Sequence, residues 1–211
     1  MNSQNKKVFY KDYVFEVSKE VYAPAEDSFL LADNLDVKDD DTVLDVGTGC
    51  GALAVLAAEK AKKVIATDVN SSAVECATRN AVLNNVGDKV EVRQGDLFES
   101  VKSNEEFDVI LFNAPYLPSE DWEEHDLVGR AWAGGTTGRK VIDRFIFEAP
   151  KYLRENGKVL LVQSTLSDVE QSLCMFIEQG LGAKVIAERK VEFETIVVIE
   201  ARRLDNNQPN F

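Results

Sequence analysis

Histidine is almost missing from this chain of 211 residues: His125 stands alone, which excludes a centre built from several histidines. Cysteine is scarce as well. Cys50, Cys76 and Cys174 are widely spaced and form no C-x-x-C pair, so neither a disulfide framework nor a zinc site within this chain is expected. No apolar run approaches the ~20 residues that cross a bilayer. The opening stretch MNSQNKKVFYKDYVFEV carries no signal-peptide core. These absences lead to the expectation of a cytoplasmic protein with no metal. Positive charge is also in deficit, with 24 Lys and Arg against 37 Asp and Glu and a net charge of −13. Such a surface repels phosphate backbones at long range, which argues against nucleic-acid partners.

What is present is an ordinary globular balance, 45% apolar and 29% charged. Short apolar runs alternate with helical patterns. A hairpin over 8–17, turning at Lys11-Asp12, precedes a helix over 26–35. Strands are expected at 42–46, 63–67, 89–93, 107–112 and 158–163, the last introduced by Gly157. Helices are expected at 51–60, 71–84 (opened by Ser71-Ser72), 139–154 and 167–179. Two strands close the pattern near 183–189 and 193–200. This rhythm predicts an α/β fold with a mainly parallel sheet and helices on both faces. It reads as one domain over 1–211, with an N-terminal extension over 1–20 and a flexible tail over 204–211.

Chemistry concentrates in two loops. The first, DVGTGCG at 45–51, lies between a strand and a helix. Gly47, Gly49 and Gly51 allow a tight turn and close approach of a ligand, and the helix start offers free N–H groups. Asp68, ending the next strand, is placed to accept hydrogen bonds from a ribose diol. Gly47, Gly49 and Ala52 also fit the loose dinucleotide pattern G-x-G-x-x-G/A, which leaves NAD open. Asp45 counts against it: a carboxylate there disfavours a pyrophosphate and favours a cationic ammonium or sulfonium group. S-adenosylmethionine (AdoMet) has both. Asp96, in QGDLF, is placed to reach an adenine amino group, with Leu97 packing on the ring.

The second loop, Asn113-Ala114-Pro115-Tyr116, follows the buried run FDVILF. Pro115 restricts Ala114 to extended conformations, and Asn113 adds a side-chain carbonyl. Two acceptors converging on one NH₂ group would hold a planar amide or aromatic amine, with Tyr116 stacking on its face. Hydrogen bonds from the amine to fixed acceptors make its nitrogen more electron-rich and aim it for methyl transfer.

These residues, together with YAPAEDSFLLAD at 22–33 and RAWAGGTTGRKVIDRF at 130–145, resemble the HemK-like release factor glutamine methyltransferases. The likeness is to the short archaeal and eukaryotic branch, and it extends from about Val8 to Ala201. The resemblance implies a Rossmann-like class I methyltransferase with a seven-stranded sheet. It implies AdoMet as cofactor and S-adenosylhomocysteine as product. The substrate it implies is the glutamine side-chain nitrogen in the Gly-Gly-Gln motif of a class I release factor. Asp45, Gly47, Gly49, Gly51, Asp68, Asp96, Leu97, Asn113 and Ser28 fall on the cofactor, with Glu26 and Asp27 in the segment closing its pocket. Asn113, Pro115 and Tyr116 fall on the reacting glutamine. Ala114, Trp132 and Gly134, with Ala133 and Gly135, fall on the substrate side. Ala114 departs from the family's usual Asn-Pro-Pro-Tyr, which removes some rigidity and keeps the carbonyl.

The branch works with a small zinc-binding activator protein, and an exposed edge strand over 89–93 would suit strand addition. Lys89 and Arg93 alone could otherwise protect that edge. Protein-lysine methylation and adenine N6-methylation of nucleic acid are the alternative activities. The acidic run Glu120-Asp121, Glu123-Glu124 and Asp126, around a surface His125, is a solvated face or a receiver of a basic protein. Cys50 is read as a packing residue, and Lys60, Lys62 and Lys63 as exposed charges at a helix end.

Overall fold

The computed structural model describes residues 6–120 and 129–203. His125, most of the acidic run and the tail over 204–211 lie outside the described residues. The chain opens with an antiparallel hairpin, β1 (Lys6–Tyr10) and β2 (Tyr13–Val17), followed by α1 (Glu26–Asp33). The main elements are then β3 (Thr42–Val46), α2 (Ala52–Ala58), β4 (Lys63–Asp68), α3 (Ser71–Leu83), β5 (Val90–Gln94) and β6 (Phe107–Asn113). They continue with α4 (Ile142–Glu148), β7 (Leu153–Ser164), α5 (Val169–Glu178), β8 (Leu181–Lys190) and β9 (Thr195–Arg203).

Seven strands form one sheet in the order β5-β4-β3-β6-β7-β9-β8. The pairings from β5 to β7 are parallel, and β9 is antiparallel to both β7 and β8. This is the Rossmann-like arrangement expected. The run VILF of β6 and the run VLLV of β7 are buried almost throughout, as parallel strands covered on both faces must be. From β3 the chain winds outward through β4 to β5, then returns to place β6 on the other side of β3. The β3/β6 junction is therefore the point where strand order reverses, and a crevice opens at the carboxyl ends there.

Three local expectations are corrected. The helix expected over 139–154 is only α4, followed by a 3-10 turn over Ala149–Tyr152. Pro150 supplies no N–H to continue the α-helical ladder, while Ala149 before it stays right-handed. The next strand begins at Leu153, not after Gly157, because the Phe107↔Leu153 pair is followed by an irregularity before Val109↔Lys158. The cap of α3 is Asn70, whose Oδ1 accepts the Ser72 N–H at 2.9 Å, so Ser71-Ser72 already lies within the helix.

β5 is the sheet edge, as expected. Its charges are less free than an edge guard would be. Arg93 folds into a two-pronged ion pair with Glu105 at 2.6 and 2.8 Å and also meets Glu91. The paired guanidinium holds the Glu105 and Glu91 carboxyls down to about 2.

Aromatic rings fill the core beneath α4. Phe145 lies 4.5 Å from Phe112 and 5.7 Å from Phe98 between ring centres, and Phe98 stacks on Tyr152 at 4.9 Å. All three phenylalanines are buried. Removing the central ring leaves a cavity that this close-packed group cannot refill. Phe145→Ala is expected to lower unfolding free energy by roughly 3–5 kcal/mol, measured by denaturant titration.

Candidate active site

A cavity of about 630 Å³ occupies the crevice at the carboxyl ends of β3, β4 and β6, within the size range of small-molecule sites. Its walls bring together Ser28, Gly47, Gly49, Asp68, Asp96, Leu97, Asn113 and Pro115, with Val21, Tyr22 and Phe112. Asp45, Gly51, Ala114, Tyr116, Trp132 and Gly134 do not line it.

The glycine loop forms one side. Gly47, Gly49 and Gly51 all have positive φ, as the turn requires. A Cβ placed on Gly49 would meet nothing within 4 Å, so open space lies before the loop. The Gly49 N–H donates to Asp68 Oδ2 at 2.8 Å and the Asn70 N–H to Oδ1 at 2.9 Å. Burial pushes the Asp68 carboxyl up and these N–H bonds oppose it. Each oxygen keeps a second lone pair for a ligand hydroxyl.

Asp45 sits beneath the loop and is fully buried. It accepts the Thr48 hydroxyl on Oδ2 at 2.6 Å, while Oδ1 has no partner among the described residues. Desolvation raises its pKa to about 7. Cys50 is buried and its thiol is pushed up to about 12, which fits a packing role. Lys60, Lys62 and Lys63 are exposed.

On the opposite wall, Leu97 holds φ +49, a left-handed conformation that is costly for a branched side chain. The Thr67 hydroxyl fixes it by donating to the Leu97 carbonyl at 3.1 Å. Asp96 lines the cavity and is also paired with Arg144 at 2.8 Å. Nothing in the sequence pattern pointed to that pairing.

The acceptor side is built around Asp27 of α1, which is buried. Asn113 Nδ2 donates to Asp27 Oδ2 and to Ser28 Oγ, both at 3.1 Å. The Tyr116 hydroxyl points to the same Asp27 oxygen at 3.4 Å. An ionised carboxylate only accepts, so it must face the NH₂ end of the Asn113 amide. The carbonyl end is thereby turned the other way, and Asn113 Oδ1 is left buried with no partner among the described residues. Burial, then the charges of Asp27 and Glu194, push the Tyr116 hydroxyl far above its usual range. The same causes raise Tyr22 to about 12. Both phenols therefore stay protonated. The Ala114 N–H makes a long 3.4 Å bond to the Val162 carbonyl, which a proline could not make.

The segment 131–135 is laced to this loop. Leu117 N–H donates to the Trp132 carbonyl at 3.0 Å and Gly134 N–H to the Leu117 carbonyl at 2.8 Å. A Cβ on Gly138 would collide with the Tyr116 carbonyl. Ala131 and Ala133 reach the cavity wall, and Trp132 between them does not line it. Arg139, expected to open a helix, is instead buried and donates to the Ser167 and Asp168 carbonyls and to Asp143. Asp27 was legible as an acid in a first helical turn, in the segment expected to close the pocket; its grip on Asn113 depends on a contact 86 residues away.

A glycine-cradled cavity at the switch point thus faces a fixed amide carbonyl. Residues 20–196 match the family model of the methyltransferase small domain. The chain belongs to that family and is a methyltransferase. It is 45% identical over 188 residues to a putative protein N5-glutamine methyltransferase of Methanocaldococcus jannaschii, covering 88% of this chain and 93% of that one. It is 31% identical to the human methyltransferase HEMK2, covering 86% and 89%. Among solved structures it is similar to the E. cuniculi Mtq2–Trm112 complex, responsible for methylation of the eRF1 translation termination factor. The likeness there has TM-score 0.68 and 27% identity, covering 88% of this chain and 99% of that one. No helix among the described residues is long and apolar enough to cross a membrane.

Asp45 gives this site a pH signature. Its folded pKa of about 7 lies above the unfolded value of 3.8. Between these values the folded form holds a proton that the unfolded form has lost. The Asp45 contribution to stability is therefore full below pH ~4 and is lost as pH rises to ~7, by at most about 1.4 kcal/mol per pH unit. The unliganded wild type should lose stability relative to Asp45→Asn across that window, with a constant difference above it. Paired denaturant titrations from pH 4 to 8 measure this difference.

Proposed function

We propose that this chain transfers a methyl group from AdoMet to the side-chain amide nitrogen of a glutamine in the Gly-Gly-Gln motif of a class I release factor. The carrying observation is the orphaned Asn113 Oδ1, a buried acceptor held at the cavity wall with its own NH₂ engaged elsewhere. A glutamine amide, with two N–H donors, supplies what that oxygen lacks. The names of the relatives support the same reading, as does the termination-factor substrate of the E. cuniculi complex.

The cavity suits AdoMet. Asp68, fixed by Gly49 and Asn70, would hold the ribose diol, and the space before Gly49 leaves room for the donor chain. Asp96 would share its carboxylate between Arg144 and the adenine amino group, with Leu97 against the ring. Asp45, beneath the loop, would favour the cationic end of the molecule. When bound, AdoMet would supply a sulfonium methyl, and the glutamine nitrogen that takes it would pass one proton to solvent. Asn113 Oδ1 accepts one N–H and enriches the nitrogen lone pair. Asp27 keeps the Asn113 amide from turning over. Ala114 and Pro115 shape the loop, with Tyr116, Trp132 and Gly134 supporting the substrate side. A small zinc-binding partner would pair along the edge of β5, where strand addition satisfies open backbone groups.

The test is methyl transfer from labelled AdoMet to a purified release factor, with and without that partner, mapped by mass spectrometry beside an adenine-rich DNA. Label should fall on the Gly-Gly-Gln glutamine. Asn113→Ala should lower kcat at least 100-fold, and Asp27→Ala about 10–100-fold by releasing the amide. Label confined to lysine or to DNA would overturn the substrate. Absence of label with the partner present would overturn the activity.

A further inference from the structure

Three asparagines, Asn80 within α3 and Asn70 and Asn84 at its two caps, hold the backbone of the N-terminal segment. Asn84 accepts the Val14 N–H at 3.1 Å and donates to the Val14 carbonyl at 2.9 Å. Asn80 does the same to Glu16, at 2.9 and 3.0 Å. Asn70, at the cap, donates to the Glu20 carbonyl at 2.8 Å. Four residues of helix rise about 6 Å and two residues of strand nearly 7 Å, so Asn80 and Asn84 match alternate residues of β2. Their amides satisfy backbone groups on the side of β2 away from β1, as a further strand would.

Asn80 reaches the glycine loop and Asn84 does not; the Asn84 Nδ2 donates instead to the Asn80 carbonyl at 2.8 Å. The Asn80 Nδ2 donates to the Cys50 carbonyl at 2.8 Å, inside the glycine loop. The side chain is fully buried. The loop lies tight on α3 here, since a Cβ on Gly51 would come within 2.9 Å of Ala77 Cα. One amide thus grips the hairpin and the back of the loop whose Gly49 holds Asp68. We propose that Asn80 is a positioning residue for the donor half of the site, and that through it the N-terminal hairpin forms part of cofactor binding. This rests on reading the cavity as the AdoMet site.

Both amides clamp the hairpin, so the two variants share that loss and differ in the contact to the glycine loop. The test therefore compares Asn80→Ala with Asn84→Ala by calorimetric titration with S-adenosylhomocysteine. Both variants should lose thermal stability. Asn80→Ala should weaken the affinity at least tenfold, while Asn84→Ala stays within threefold of wild type. In turnover, Asn80→Ala should raise KM for AdoMet and leave kcat at saturation within threefold. Equal affinities in the two variants would overturn the proposal. If Asn80→Ala does not fold, hydrogen exchange in the unaltered protein decides. Ligand should slow exchange at the Glu16 amide more than at Val14, and an unchanged Glu16 rate would overturn the link. Failure of the wild type itself to bind S-adenosylhomocysteine would instead overturn the cofactor reading beneath it.

Discussion

The acceptor side of this protein depends on one asymmetry: a carboxylate can accept hydrogen bonds and an amide can do both. Asp27 meets Asn113, and the only stable orientation points the Asn113 carbonyl away from it. That oxygen becomes the free acceptor of the site. Were Asp27 neutral and able to donate, the amide could lie either way. Ser28 and Tyr116 converge on the same carboxylate and narrow its position further. The orientation of a small planar group is thus set by a carboxyl that does not line the cavity.

The donor side is organised differently. Its Asp68 is held by the main-chain N–H groups of Gly49 and Asn70, and main chain must be held from behind. The α3 helix does this through close packing at Ala77 and through side-chain amides that reach across to backbone. Cost is visible too, in the left-handed Leu97 that Thr67 secures. Donor and acceptor halves meet at β3 and β6, adjacent strands in the middle of the sheet, so the relative placement of the two halves is as rigid as the sheet itself.

Much of this was legible because the signals were local. Strand runs such as FDVILF, the glycine turn and the asparagine loop each carry their pattern within about ten residues. Asp68 and Asn113 were legible by position, one at the end of a strand and one just beyond an apolar run. What escaped the sequence was the partnership between distant residues. Nothing near Asp27 announces Asn113, nothing near Asp96 announces Arg144, and Asn80 looks like any polar residue on a helix. Pro150 was a local signal with a local consequence, and the 3-10 turn there follows from it. The position of Asp45 behind the loop, outside the cavity wall, reflects packing that no spacing rule contains.

The sequence distances impose an order on assembly. One stretch of chain, residues 46–97, supplies most of the cavity's lining. Its outer strands can pair soon after they leave the ribosome. The acceptor half cannot, because α1 packs against β6, β7, β8 and β9, and β9 is the last element described. During vectorial synthesis α1 is made early and waits for most of the chain before its surface is covered. A nascent chain lacking β9 therefore has most of the cavity's lining before α1 has its full packing surface.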